Sequence, residues 1–175
     1  AVMLGCGVNV ELVEGRLREL AEALAAARID MALTLADEAA PAFRAIYAEG
    51  YELALPASHP LAGELEIEAA QLGDSIMIVR RHCEVLAETS RHFTRAGVRP
   101  FFSARTASDE RALALVAAGL GLTVMPACFK YEGVVRTPLK GFHFSRIVGL
   151  SAPADAAFAD EVLLAAMNVF ERRQG

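Results

Sequence analysis

The stretch Asp109–Pro126, DERALALVAAGLGLTVMP, decides how we interpret the rest of the chain. Its first half has apolar residues at helical spacing, namely Leu113, Val116, Ala117 and Leu120. Gly119 and Gly121 can end that helix in a left-handed conformation, and LTVM then forms a short buried strand before the proline. A phosphate-binding glycine loop opens a helix, whereas these glycines close one. The pattern therefore predicts half of a βαβ unit and argues against nucleotide binding.

Strands and helices alternate on both sides of this stretch. Buried strands are predicted at Ser75–Val79 and Phe101–Ala104, with the helix Glu84–Gly97 between them. Downstream, the remaining predictions are a loop or short strand at Val134–Leu139, a strand at Ser145–Leu150 and a closing helix at Phe158–Arg172. The middle of the chain is thus strand, helix, strand, helix, strand.

The N-terminal third repeats the alternation. The predicted elements, in order, are a strand at Val8–Leu12, a helix at Leu17–Arg28, an interior parallel strand at Ile29–Leu35, and a strand pair or one interrupted strand at Phe43–Tyr47 and Tyr51–Pro56. Ala36–Pro41 is polar and predicts a loop. Because the residue before a proline avoids the helical region, we expect the chain to leave one lobe for another at His59–Pro60.

Repeated βα units predict an α/β fold with parallel-rich sheets and right-handed crossovers. We expect two lobes, one formed by residues 1–51 and 150–175 and the other by residues 52–149. Leu53–Pro56 and Ile147–Leu150 would be the strands that cross between them. Ligands of open α/β sheets bind at the carboxyl ends of the strands, so a cleft between the lobes would be the binding site.

Composition limits the class of protein. The chain has 175 residues, 54% of them hydrophobic, and a net charge of −5 with its basic residues scattered, so it does not predict a DNA-binding surface. No apolar run reaches the roughly 18 residues of a membrane span, and no secretory signal is visible. We therefore expect a soluble cytoplasmic protein without a membrane partner. Cys6, Cys83 and Cys128 lack metal-ligand spacing, so neither a metal nor another cofactor is expected.

Three segments resemble one protein family. VAAGLGLTVMP, ARIDMAL at Ala27–Leu33 and LALPASHPL at Leu53–Leu61 are similar to the effector-binding domain of LysR-type transcriptional regulators. The resemblance implies a two-lobed fold like that of type II periplasmic binding proteins, a small-molecule effector in the cleft, and a homodimer or tetramer. It also implies a strand, a helix and a winged helix-turn-helix ahead of Val8, so DNA would be bound only through that missing part. AVMLGC at Ala1–Cys6 would extend the next strand or fold back on it.

The basic turn, Arg80–Cys83, is the most informative local feature. It lies between a predicted strand and a predicted helix start, where unpaired amides favour an anion. Arg80 and Arg81 could bind a carboxylate in bidentate geometry, with His82 and Cys83 beside them. We therefore expect an acidic metabolite to bind here. The alternative is an ordinary solvated basic turn.

Cys83 permits a second interpretation. A thiol at a helix N-terminus beside His82 and two arginines should have a lowered pKa and react readily with oxidants. His82-Cys83 also resembles the peroxide-reactive pair of the family's thiol-switch members. Those members carry a resolving cysteine one helix later, whereas this chain has Ser90, Arg91, His92 and Phe93 there. A cysteine that only lines the cleft is therefore preferred to a redox switch.

Other polar residues are placed at the cleft by topology. The resemblance implies that hydroxyls such as those of Ser103, Thr106 and Ser108 help bind the effector, but for Thr106 or Ser108 helix capping is the preferred interpretation. Thr34 and Pro126 would lie at the carboxyl ends of their strands.

No catalytic constellation is present in the sequence, so we do not expect an enzyme. The rivals are a solute-binding protein of a transport system and an enzyme of the same architecture, such as a porphyrin-assembling deaminase or a prephenate dehydratase. A general base paired with an acid in the cleft would favour the enzyme.

Overall fold

The computed structural model describes residues 11–36 and 43–152. The chain divides into two compact units, Ala1–Ala48 with Arg146–Gly175 and Glu49–Ser145. The helices are α1 (Leu17–Ala25), α2 (Leu86–Arg95) and α3 (Asp109–Ala117), and the strands are β1 (Ala32–Leu35), β2 (Phe43–Pro56), β3 (Ile76–Arg80), β4 (Phe101–Thr106), β5 (Thr123–Pro126), β6 (Val134–Thr137) and β7 (Ser145–Ser151). The predictions for residues 1–10, for most of the loop 36–41 and for the helix 158–172 lie outside the described residues.

In the first unit, β1 pairs with β7 in antiparallel register, from Ala32 opposite Ser151 to Leu35 opposite Val148. The prediction of an interior parallel strand from Ile29 was wrong in its start and in this pairing. Leu33 is 62% exposed, so β1 buries one face at most within the described residues. Gly149 is required in β7 because a Cβ there would collide with the backbone carbonyl of Arg44.

The helix α1 begins where it was predicted but ends early. Its last residue is Ala25 and not Arg28, because Ala27 adopts a positive φ of 51° that turns the chain away. No residue of α1 is buried by the described residues. Leu12 is 85% exposed and lies outside any strand, so the predicted strand does not extend to it.

The strand β2 is one continuous strand of 14 residues and not a pair. The boundary between the two units falls within it, at Ala48 and Glu49, and again at the start of β7. His59-Pro60 lies inside the second unit, so the predicted crossing at that dipeptide was wrong. The physical reason is a local turn: the backbone N–H of Ala62 donates to the carbonyl of His59 at 2.9 Å, which places Pro60 at the favoured second position of a β-turn.

The second unit contains the predicted strand, helix, strand, helix, strand series. β3 and β4 pair in parallel, from Ile76 opposite Phe101 to Arg80 opposite Thr106. On the other side of β3, the backbone N–H of Leu122 donates to Ile76 at 2.8 Å, so the segment leading into β5 is also parallel to β3. β5 and β6 then pair antiparallel with β2, which sequence patterns did not indicate.

The turn between α3 and β5 has the predicted glycine chemistry. Gly119 has φ +74° and adopts the left-handed conformation that ends α3. Gly121 has φ +153°, and a Cβ on it would lie 2.9 Å from the carbonyl oxygen of Ile76. Glycine at 121 therefore lets the chain approach β3 closely enough for Leu122 to pair with it.

Two apolar layers enclose the parallel strands. Met77, Val124 and Leu122 pack with Phe93 of α2 and with Leu53 and Leu55 of β2 on one side. Ile78 packs with Ala112 and Val116 of α3 on the other side. Because alternate residues of β3 point to opposite faces, Arg80 shares the α3 face with Ile78.

Candidate functional site

The carboxyl ends of the parallel strands of the second unit bring several predicted site residues together. The basic turn follows β3, Thr106 ends β4, Ser108 precedes α3 and Pro126 ends β5. The backbone N–H of Arg81 donates to the carbonyl of Thr106 at 2.8 Å, which joins the first two of these segments. Thr34 belongs to the first unit, so the second unit does not contain it.

Arg80 is a buried cation with a carboxylate partner. Its side chain is 5% exposed, its Nε donates to Oδ1 of Asp109 at 2.7 Å, and its Nη2 donates to Oδ2 at 2.8 Å. Burial lowers the pKa of Arg80, but the hydrogen bonds and the charge of Asp109 offset this and hold that pKa above its ordinary value. The bidentate pair links the end of β3 to the first turn of α3.

The remaining donors of Arg80 are directed inward. Its Nη1 donates to the carbonyl oxygen of Val124 at 3.2 Å and to Sγ of Cys83 at 3.4 Å. The predicted bidentate geometry of Arg80 therefore exists, but the carboxylate is Asp109 of the same chain. The α3 N-terminus is likewise supplied with negative charge by Asp109.

Arg81 and His82 differ from Arg80 in exposure. Both are exposed, and neither forms an ion pair with another described residue. The helix that follows them, α2, begins at Leu86 with Val85 as its N-cap and no side-chain cap. Exposed donors thus precede a helix start whose amides are not capped by a side chain.

Cys83 does not have the lowered pKa that its neighbours suggested. Burial raises the pKa of its thiol, and this effect exceeds the opposing influences of the Arg80 charge and of the Val85 backbone hydrogen bond. Two structural reasons explain the error. Asp109 neutralises much of the field of Arg80, and α2 begins three residues after Cys83, so the thiol is not at the first turn.

The hydroxyl groups after β4 form local hydrogen bonds. Oγ of Ser108 accepts the backbone N–H of Arg111 at 3.2 Å and caps α3. Oγ1 of Thr106 accepts the backbone N–H of Ser108 at 3.1 Å. Both residues thus have the capping role that was the alternative to effector binding. Ser103 lies at mid-strand and donates to the carbonyl of Leu120 at 2.8 Å, away from the basic turn.

A cavity of about 390 Å³ lies beside the basic turn, between α2 and the parallel strands. We call it the α2 cavity. Arg80 and Cys83 line it, together with apolar residues of β3 and β5 and one face of α2. Its lining also includes Arg99 and Phe102, from the connection to β4 and from β4 itself.

Sequence reasoning missed Asp109 and Arg99. The alternation of β3 offered a signal for the first, because it places Ile78 and Arg80 on the face that α3 covers. No pattern marked Arg99, whose position follows only from the packing of α2 on the strands. Across residues 11–36 and 43–152, no cluster of three metal-ligating side chains occurs and no helix is long and apolar enough to span a membrane.

Residues 6–166 match the LysR substrate binding domain family. The chain is 32% identical over 124 residues to the "probable hydrogen peroxide-inducible genes activator" of Mycobacterium avium, covering 69% of this chain and 40% of that protein. It spans half or less of the length of the curated relatives it matches.

Solved structures agree on the fold. HinK, a LysR family transcriptional regulator from Pseudomonas aeruginosa, superposes with a TM-score of 0.76 at 17% identity, covering 97% of this chain and 64% of that one. The BenM effector binding domain with its effector benzoate gives 0.69 at 20% identity, covering 99% of this chain and 83% of that one. The predicted α/β fold of the type II periplasmic-binding-protein kind is therefore confirmed, and the chain belongs to the LysR substrate binding domain family.

Proposed function

We propose that the chain is the effector-binding and dimerisation part of a LysR-type transcriptional regulator, and that its effector is a small anionic metabolite. Such a regulator would act in the cytoplasm and bind DNA through a separate domain. The proposal of an anionic effector rests on a contrast within the basic turn. Arg80 is neutralised by Asp109, whereas Arg81 and His82 are exposed and have no ionic partner in the described residues.

The chemistry of the turn favours a carboxylate. A guanidinium binds a carboxylate through parallel N–H donors, and the start of α2, which has no side-chain cap, adds partial positive charge. The name of BenM, a structural relative, pairs its effector binding domain with benzoate, which is a carboxylate. Arg80 would then position Arg81 by fixing the end of β3, and it would not bind the ligand itself.

The test is a calorimetric titration of the chain with benzoate and with succinate, followed by the same titrations of Arg81→Gln. Whichever of the two carboxylates binds the unmodified chain, we expect Arg81→Gln to raise its dissociation constant about tenfold, the effect of losing one exposed charge-assisted contact. Arg91→Gln is the matched control, because Arg91 is exposed on α2 and pairs with Glu88 outside the turn. Equal weakening by both variants would reduce the effect to general charge and contradict the assignment.

Pairing of two chains is the second part of the proposal. The side chains of α1 present an apolar stripe that the described residues leave unburied, including Leu17 at 41% exposure. Exposed apolar stripes of this kind are covered in oligomers. Sedimentation at micromolar concentration should therefore give a mass above the 18.7 kDa of one chain, and a monomer would count against pairing.

A thiol switch is the candidate that the Mycobacterium avium relative favours, since that relative is named for peroxide-inducible genes. Cys83 is the candidate thiol because it contacts Arg80. Its raised pKa argues against fast reaction with peroxide. Peptide mass spectrometry after treatment with hydrogen peroxide decides between the two: selective oxidation of Cys83 at equimolar peroxide would favour the switch.

A further inference from the structure

We propose that the α2 cavity is a second binding site, distinct from the Arg81 turn, and that it takes a small aromatic or short-chain monocarboxylate. The apolar body of the ligand lies between α2 and the parallel strands, and its carboxylate pairs with Arg99. The cavity shares Arg80 and Cys83 of the basic turn as wall residues, but its charged partner is Arg99 and not Arg81, so the proposal does not depend on the proposed effector site.

The size of the cavity fits such a ligand. Its volume of about 390 Å³ falls within the roughly 300–1,000 Å³ of small-molecule pockets. An apolar cavity of about 150 Å³ already holds a benzene ring. The α2 cavity therefore has room for one ring or a short chain together with a polar end group.

One face of α2 forms a wall of this cavity and does not close on the strands. Leu86, Thr89, Ser90, Phe93 and Thr94 line it at helical spacing. Only Phe93 of α2 is buried in the core, at 4% exposure, whereas Leu86 is 39% exposed. Val85, the N-cap of α2, is also buried in this core at 7% exposure, so α2 is anchored near both ends and the cavity lies beside the helix face between them.

The polar groups of the inner wall already have partners within the protein. The hydroxyl of Thr89 donates to the carbonyl of Val85 at 2.8 Å, and that of Thr123 donates to the carbonyl of Ile78 at 2.9 Å. Arg80 is neutralised by Asp109. A polar or charged group placed deep in the cavity would lose its water without gaining a partner, so the deep part selects an apolar group.

The rim supplies the charge. Arg99 lines the cavity, is exposed, and forms no ion pair with any described residue. The hydroxyls of Ser90 and Thr94 are on exposed residues of the same rim. None of the described residues that line the cavity is acidic, so an anion meets attraction at this mouth and no repulsion from the lining.

The rim could instead be covered by a second copy of the chain. Phe102 also lines the cavity and is 45% exposed, which is compatible with either occupant. We argue for the small molecule because an apolar contact between two helix faces requires neither a cavity of this volume nor an arginine at its edge that pairs with no described residue.

Fluorine NMR of the chain with 4-fluorobenzoate tests the proposal, with fluorobenzene as the uncharged comparison. We expect saturable binding of 4-fluorobenzoate and about tenfold weaker binding to Arg99→Gln, whereas fluorobenzene should bind both proteins alike. Arg95→Gln is the matched control, because Arg95 lies at the end of α2 and does not line the cavity. Ser90→Phe, at an exposed helix position, should fill the mouth and abolish binding of both probes.

Cys83 provides an independent readout inside the cavity. Saturating 4-fluorobenzoate should slow alkylation of Cys83 by iodoacetamide, with the exposed Cys128 as the internal reference in the same digest. Three results would overturn the proposal: no saturable binding, loss of binding in Arg81→Gln but not in Arg99→Gln, or displacement of the probe as the chain concentration rises. The second result would place the probe at the basic turn, and the third would show that a second copy of the chain covers the rim.

Discussion

The pair between Arg80 and Asp109 permits a quantitative prediction about stability. Asp109→Asn keeps the shape and one acceptor of the side chain but removes its charge. Arg80 is 5% exposed in its side chain, so its guanidinium would become a buried cation without a counter-charge. Breaking a buried pair in this way costs about 3–5 kcal/mol, and because Asp109 itself is 34% exposed we expect the lower end, about 3 kcal/mol.

The assay is urea denaturation followed by circular dichroism at 25 °C. Glu110→Gln is the control, since Glu110 is exposed in the same first turn of α3 and its loss tests the helix dipole alone, worth about 0.5 kcal/mol. The double variant Arg80→Met with Asp109→Asn should recover most of the lost stability, because no buried charge remains. A loss under about 1 kcal/mol for Asp109→Asn, or a double variant less stable than that single variant, would refute the reasoning.

Three further predictions concern other parts of the second unit. Gly121→Ala should destabilise the protein by about 2–3 kcal/mol more than Gly119→Ala in the same urea assay, because only at 121 does the new Cβ meet a carbonyl, in addition to the cost of a positive φ. Burial and then the charge of Arg95 lower the pKa of His92, so the unfolded state binds more protons, and the urea midpoint should fall as pH drops below about 6.5; His92→Phe should remove that slope. Since burial raises the pKa of Cys83, iodoacetamide at pH 7 should modify Cys83 more slowly than the exposed Cys128, and a faster reaction at Cys83 would contradict this.

Local chemistry made much of the second unit predictable. A helix with apolar residues at 113 and 116, followed by glycines at 119 and 121, has few alternatives once the strand after it is apolar. The strand β3 was predictable for the same reason, because SIMIV is a short apolar run and its residues Met77, Ile78 and Val79 are buried on both faces. These features depend on residues close in sequence, which is where propensity and spacing carry information.

What could not be predicted depends on partners distant in sequence. Arg80 and Arg81 are adjacent and identical in type, and the packing of α3 on β3, which brings Asp109 to Arg80, leaves one of them buried and the other exposed. The antiparallel pairing of β2 with β5 and β6 could not be predicted, because several strands of the chain have similar composition and composition does not identify the partner. The early end of α1 is a local exception: it follows from a positive φ at Ala27, and alanine seldom adopts one, so no sequence pattern indicated it.

The second unit is one uninterrupted run of chain, and its two ends lie side by side. An ideal Cβ on Gly50 would be 3.7 Å from the carbonyl oxygen of Phe144, so the first and last residues of this unit are close in space. A segment with adjacent ends can be cut out or transplanted by joining two nearby points, without rerouting the host chain. We therefore expect that the coding segment for residues 49–145 can be exchanged between genes as one piece. Recombination at its two borders could exchange the basic turn and the α2 cavity together, which would give a regulator new ligand chemistry in a single event.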